Sequence, residues 1–167
     1  MKKYLPALVA GFGAGVLAVV PIVKSFSCCL IIPFAAIVAL ILDQKANKSF
    51  GEIETSKALM MGLMTGIYAA VFGTFFELLI TFITKNNDLL YVVNDLKGFV
   101  DQFPVTNDVK QQVLDLTNNV VNSIKTDGFS LLYSIALLLN NLIINPIFGM
   151  IGALIGAKFI NSRANRV

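Results

Sequence analysis

The chain has 167 residues, 56% of them hydrophobic and 14% charged, with a formal net charge of +3. A soluble domain carries about a quarter of charged residues, so this balance belongs to a membrane protein whose apolar surface is buried largely by lipid. Histidine is absent, which excludes His-based metal sites and Ser-His or Cys-His catalysis. The scattered cationic residues form no basic patch interleaved with aromatics, which excludes nucleic acid as a partner.

Met1-Lys2-Lys3 precede an apolar run of 20 residues from Tyr4 to Val23. That is longer than a secretory signal core and long enough to cross a bilayer. A second apolar run, Phe26 to Leu42, follows almost at once, so signal cleavage would leave a product beginning inside a hydrophobic segment. The first run is therefore read as a membrane span over 4–23. It carries Ala7, Gly11, Ala14, Gly15 and Ala18 on one face, and small residues at this spacing let helix backbones approach closely in lipid.

Pro21, Lys24 and Ser25 make a very short turn, which predicts that the first two spans are antiparallel neighbours. The second span, 26–42, has 17 residues and contains Pro33. It sits at the lower limit for crossing, and a full span is preferred to a half-inserted hairpin. Its adjacent Cys28 and Cys29 read as small apolar residues of a bilayer helix, since a vicinal disulfide is strained and two sequence neighbours cannot make a metal cage alone.

Asp43 to Ser56 is the first polar linker, and Lys57 to Thr84 is the third span. On a helix at about 100° per residue, Gly62, Gly66, Ala69, Ala70, Gly73 and Glu77 share a sector roughly 100° wide. Met64, Ile67, Val71, Phe75, Leu78 and Phe82 face the other way. This predicts a small packing face, a bulky lipid face and one acid on the packing side.

From Lys85 to Asp127 the composition changes to six Asp and four Lys, with Pro104 in the middle. Leu89, Val92, Val93, Leu96, Phe99, Val100 and Phe103 recur at helical spacing, as do Val109, Val113, Leu116, Val120 and Ile124. Thr106 or Asn107 can cap the second helix, Asp108 suits its first turn, and Gly128 suits its end. The segment 85–127 reads as an amphipathic helical hairpin outside the bilayer. Its aspartates, at six- or seven-residue steps from Asp88 to Asp115, read as a solvated face rather than a binding stripe.

Phe129 to Ile160 is a 32-residue apolar segment, about 48 Å if fully helical against a bilayer core of about 30 Å. It must tilt, kink or project, and Asn145-Pro146 is the expected kink. Asn141, Asn145, Gly149, Gly152, Ala153 and Gly156 share one face.

Four spans place both termini and the Asp43–Lys57 linker on one side. That side holds Lys2, Lys3, Lys45, Lys48, Lys57, Lys158, Arg163 and Arg166, whereas the other holds Lys24 and the net −2 segment 85–127. The positive-inside bias puts both termini in the cytoplasm and the hairpin outside.

Glu77 is the one acid inside an expected span, and an ionisable group in the bilayer is a functional candidate by default. Its expected partners are Asn141, Asn145, Lys24 and Lys85, making a proton or cation site or, in the plainer reading, a paired interfacial acid that fixes packing. Asparagines in spans are more often interhelical hydrogen-bond partners than ligands. The two halves carry no inverted repeat of the kind that marks many carriers.

The short first hairpin, the Lys57-Ala58-Leu59-xx-Gly62 start of span three, the polar helical insert and the closing Asn145-Pro146-xx-Gly149-xxx-Ala153 run before a basic tail carry a resemblance. Together they resemble a family of small four-span bacterial inner-membrane proteins catalogued as a domain of unknown function. The likeness covers most of the chain in architecture; the cysteine pair lies outside it. It implies a bacterial cytoplasmic membrane location and four helices, and supplies no catalytic residue.

The expectation is an all-α membrane protein, a four-transmembrane-helix bundle with an extracytoplasmic amphipathic helical hairpin between spans 3 and 4. Helix packing is assigned to Gly11, Gly15, Gly62, Gly66, Gly73, Gly149, Gly152 and Gly156. Catalytic residues, metal and cofactor are expected to be absent. The partners are the lipid bilayer and either further copies of the chain or another membrane protein, which makes it a non-enzymatic binding or scaffolding component. The alternative is a small transporter or channel subunit using Glu77 with Asn141 and Asn145.

Overall fold

The computed structural model describes residues 4–49 and 51–164, apart from the side chains of Val92, Asn94, Lys97, Arg163 and Ala164. Lys2, Lys3, Arg166 and the side chain of Arg163, which enter the charge asymmetry, lie outside the described residues. Among the described residues the elements are all helical: α1 Leu5–Leu17, α2 Pro21–Lys24, a π-turn Ser27–Ile31 leading into α3 Ile32–Asn47, α4 Thr55–Thr84, α5 Asp88–Asp101, α6 Asn107–Asp127 and α7 Leu131–Ala164. Among the described residues three helical segments are long and apolar enough to cross a membrane: Ser27–Asn47, Thr55–Thr84 and Leu131–Ser162.

The first apolar run departs from expectation. It is not one helix over 4–23 but a 13-residue helix that stops at Leu17, followed by a turn and the four-residue α2. The cause is Pro21, which has no N–H to give the turn before it and pushes its predecessor out of the helical region. Val20 is accordingly extended, at φ −76 and ψ 122.

In the second run Pro33 has the milder effect. It cannot donate to the carbonyl four residues back, and its ring crowds that carbonyl. The turn just before it widens, with Phe26 O accepting from both Leu30 N at 2.9 Å and Ile31 N at 3.4 Å. The helix thereby continues for 21 residues, Ser27–Asn47, five residues beyond the end expected at Leu42. Pro146 likewise leaves α7 continuous from Leu131 to Ala164.

The chain forms two compact units, Met1–Phe76 with Leu137–Val167, and Glu77–Ala136. In the first, the core is built mainly of alanine: Ala7, Ala10 and Ala14 of α1 meet Ala35, Ala36 and Ala39 of α3, with Ala58 and Ala69 of α4 and Ala153 and Ala157 of α7. Large apolar side chains point outward instead, among them Phe12, Phe34, Val71, Phe75, Ile143, Ile147, Ile151 and Phe159. Small side chains inside and large ones outside is the arrangement that close helix contact requires when lipid, not water, is the surrounding solvent.

The contacts between backbones are tight. A Cβ added to Gly11 would stand 2.7 Å from Tyr68 Cβ, and one on Gly15 2.8 Å from Phe72 Cβ. Gly62 and Gly149 face each other so closely that a Cβ on either would overlap the other's carbonyl oxygen, and one on Gly152 would overlap Pro33. Gly73 is different, since its nearest neighbour would be at an ordinary 3.7 Å.

In the second unit α5 and α6 are in contact with each other, and Val100, Val120, Val121 and Ile124 are buried. Two residues of positive φ stand in the short connections, Lys85 at φ 52 between α4 and α5 and Gly128 at φ 73 between α6 and α7. Gly128 has a second reason to lack a side chain, because a Cβ there would stand 2.7 Å from Phe82 O. Lysine ammoniums satisfy helix-end carbonyls: Lys85 Nζ donates to Thr126 O at 2.5 Å and Lys110 Nζ to Asp101 O at 2.9 Å. Thr106 occupies the N-cap position of α6, but its side chain makes no capping hydrogen bond.

Candidate functional site

The polar side chains within the apolar helices define where chemistry could occur, because lipid cannot solvate them. On α4 these include Thr65 and Thr74, both buried, and on α7 Asn141 and Asn145. Thr65 Oγ1 donates back to Met61 O at 2.8 Å and so satisfies itself within its own helix. Asn141 Nδ2 donates to Thr74 Oγ1 at 2.9 Å, which ties α7 to α4 across the bundle. The partner of Asn141 is thus a threonine that the sequence reading passed over.

Asn145 is buried, and its backbone carbonyl lies 2.5 Å from where a Cβ on Gly66 would stand. Gly66 therefore seats the Asn145-Pro146 step directly on α4. Lys24 is half-buried at the end of α2, and Glu77 is half-buried on α4; neither is without a partner. Lys24, Asn141 and Asn145 belong to the first unit and Glu77 to the second.

The strongest polar feature is one the sequence reading placed in a linker. Asp43 belongs to α3, not to the loop after it, and is only 2% exposed. Its carboxylate contacts Lys57 Nζ at 2.5 Å and accepts from Asn47 Nδ2 at 2.8 Å. Asn47 lies one helical turn after Asp43 on the same face, so α3 brings the amide to the carboxylate unaided. Lys57, in the first turn of α4, closes the pair from the neighbouring helix. A buried carboxylate is tolerated only with such partners.

Asn161 of α7, 108 residues away in sequence, grips Ile53 in the connection before α4 at two points. Its Oδ1 accepts from Ile53 N at 2.8 Å and its Nδ2 donates to Ile53 O at 3.0 Å. Gln44 Nε2 donates to Gly51 O at 3.0 Å. Gly51 and Ile53 are thus held by side chains from α3 and α7, which satisfies their backbone groups without secondary structure. Beside the ion pair is an open cleft of about 290 Å³, lined by Tyr4, Asp43, Glu54, Ser56, Lys57, Met60 and Met61.

The chemistry available here is ion pairing and hydrogen bonding. Among the described residues no group of three or more His, Cys, Asp or Glu side chains is placed to hold a metal ion. Cys28 and Cys29 are free thiols in the π-turn, with Sγ atoms 3.5 Å apart.

The sequence carried a signal for the Asp43 pair. Asp43 and Asn47 have i, i+4 spacing at the end of an apolar run, and a lysine opens the next run. Against known proteins, the chain matches no family model, no curated protein and no solved structure.

Proposed function

We propose that this chain is a multi-pass protein of the bacterial cytoplasmic membrane, with both termini in the cytoplasm and the segment 85–127 outside. Its role is that of a non-enzymatic binding or scaffolding component, acting as a homo-oligomer or with another membrane protein. Four crossings require the segment 4–24 to make the first. The 13 residues of α1 rise about 20 Å and the three residues before α2 add up to about 10 Å, so a broken helix has the reach. Orientation rests on the excess of Lys and Arg on the side of the termini. The bacterial location rests on the family resemblance.

The observation that carries the scaffolding reading is how the polar groups of the first unit are used. Asn141 is hydrogen-bonded to Thr74 and Asp43 is paired with Lys57, so these groups join helices to one another. The glycines serve the same end as a packing motif, with Gly62 against Gly149 and Gly11 against Tyr68. The transporter alternative keeps one supporting observation, the half-buried Glu77 inside the candidate span Thr55–Thr84.

Proteoliposomes loaded with a pH dye or a potassium indicator decide between the two. The scaffolding role predicts wild-type and Glu77→Gln fluxes equal to those of protein-free vesicles. A wild-type flux abolished by Glu77→Gln, with the melting temperature unchanged, would establish transport and overturn the proposal.

A further inference from the structure

The second unit leaves an apolar surface uncovered where its two amphipathic helices turn into one another. Phe99 is 58% exposed and Leu116 54%, and Phe103, Val105, Val109 and Val113 are exposed beside them. Phe99 and Phe103 stack edge to face with ring centroids 4.9 Å apart.

Helix geometry shows that these residues form one strip. At about 100° per residue, Phe99 lies to one flank of the buried Val100 on α5, and Phe103, in the turn just after the helix, stacks on it. On α6, Val109, Val113 and Leu116 are rotated in the same sense from the buried Val121, in the sector that also holds the buried Val120 nearer the helix end. The two helices pack against each other across a short turn, Gln102 to Thr106, and so run antiparallel. Equal rotational sense on facing antiparallel helices is the same side of the pair. The strip itself holds no charge; Asp88 and Asp95 border it on the half of α5 nearer α4.

The chain indicates what covers this strip. Three residues, Lys85 to Asn87, join α5 to α4, and three, Gly128 to Ser130, join α6 to α7. Both α4 and α7 are long and apolar enough to cross a membrane. Three residues reach at most about 10 Å, so both ends of the hairpin stay close to the ends of α4 and α7, the two helices that the proposal places across the bilayer. From those ends Phe99 and Leu116 are each 11 residues along a helix, about 17 Å. An upright hairpin would hold the strip in water, whereas a recumbent one sinks it into the headgroup region, where amphipathic helices bury their apolar face. A second copy is a poorer occupant, since each 85–127 segment carries net −2 and two would repel.

We propose that α5 and α6 form a membrane-interface anchor, with Phe99, Phe103, Val109, Val113 and Leu116 inserted among zwitterionic headgroups. The bordering Asp88 and Asp95 favour headgroups that present an ammonium over anionic lipid. This rests on the proposed membrane location but not on which side of the membrane the hairpin occupies.

The test uses full-length protein lacking Cys28 and Cys29, in nanodiscs of phosphatidylcholine and phosphatidylethanolamine holding one copy each. Leu116→Cys and, separately, Val109→Cys carry an environment-sensitive fluorophore, with Asn118→Cys on the opposite face as control. The anchor predicts blue-shifted emission at 116 and 109 that is largely lost when nitroxide-labelled lipid is included, and water-like, unquenched emission at 118. Water-like emission at all three positions overturns it. So does a blue shift at 116 that appears only in discs holding two copies, which would identify a second chain as the occupant. Failure of the four-span topology would leave this result readable, because the fluorophore reports lipid on either side.

Discussion

Replacing Lys57 by methionine removes the cation from a carboxylate that is 2% exposed and leaves Asp43 with Asn47 alone. Breaking a fully buried ion pair costs about 3–5 kcal/mol. The Lys57 side chain is 38% exposed, so water already screens part of the attraction, and about 2 kcal/mol is the appropriate figure. Asp43→Asn removes the charge but keeps an oxygen that can accept from both partners, so its loss is about 1 kcal/mol. In the double variant the ammonium and the carboxylate are both gone and no uncompensated charge is buried. The double variant should therefore lose about 1 kcal/mol less than the two single losses added together. Reversible unfolding in mixed detergent–SDS micelles, followed by circular dichroism, measures all four proteins. Additive losses within about 0.3 kcal/mol, or an unchanged Lys57→Met variant, would show that the pair does not hold α3 to α4.

The glycine contacts separate into two classes with opposite expectations in the same assay. Gly62→Ala drives a methyl into Gly149 O and should lose about 1–3 kcal/mol, whereas Gly73→Ala meets only a 3.7 Å neighbour and should change little. Equal losses at the two positions would mean that backbone approach does not govern the packing. Asn141→Leu deletes the hydrogen bond to Thr74 and should lose about 0.6 kcal/mol, the average for such bonds between membrane helices, and at most about 1.7 kcal/mol. Asn161→Ala frees both backbone groups of Ile53, so amide exchange at Ile53 should accelerate while that in the middle of α3 stays unchanged. Global acceleration would instead place Asn161 in the core's stability.

Much of the helical layout was legible because apolar run length and proline position are strong local signals. The run after Lys57 and the run after Phe129 return as α4 and α7, and the periodicity either side of Pro104 returns as α5 and α6. Pro21 is legible as a turn residue, but its effect reaches back to Leu17, because a proline disturbs the residue before it and the carbonyl four back. Asp43 was lost to the linker for a different reason. A charge at the end of an apolar run reads as the start of solvent, and only the approach of Lys57 from another helix makes its burial favourable. Thr74 was invisible as a partner because a threonine in a span ordinarily satisfies itself on its own helix, as Thr65 does. The exposed strip of α5 and α6 was half legible: the apolar periodicity was plain, but which positions face the partner helix depends on how the two pack.

The account stands on the chain crossing a bacterial membrane with both ends inside. Single cysteines at Ser49, Asn118 and Ser162, all exposed, on a background without Cys28 and Cys29, would be probed in intact cells with an impermeant thiol reagent. The account predicts labelling at 118 alone. Labelling at 49 from outside would invert the protein, labelling at 162 with 118 would mean that α7 does not cross, and labelling of a further cysteine at Lys3 would mean that the segment 4–24 does not cross.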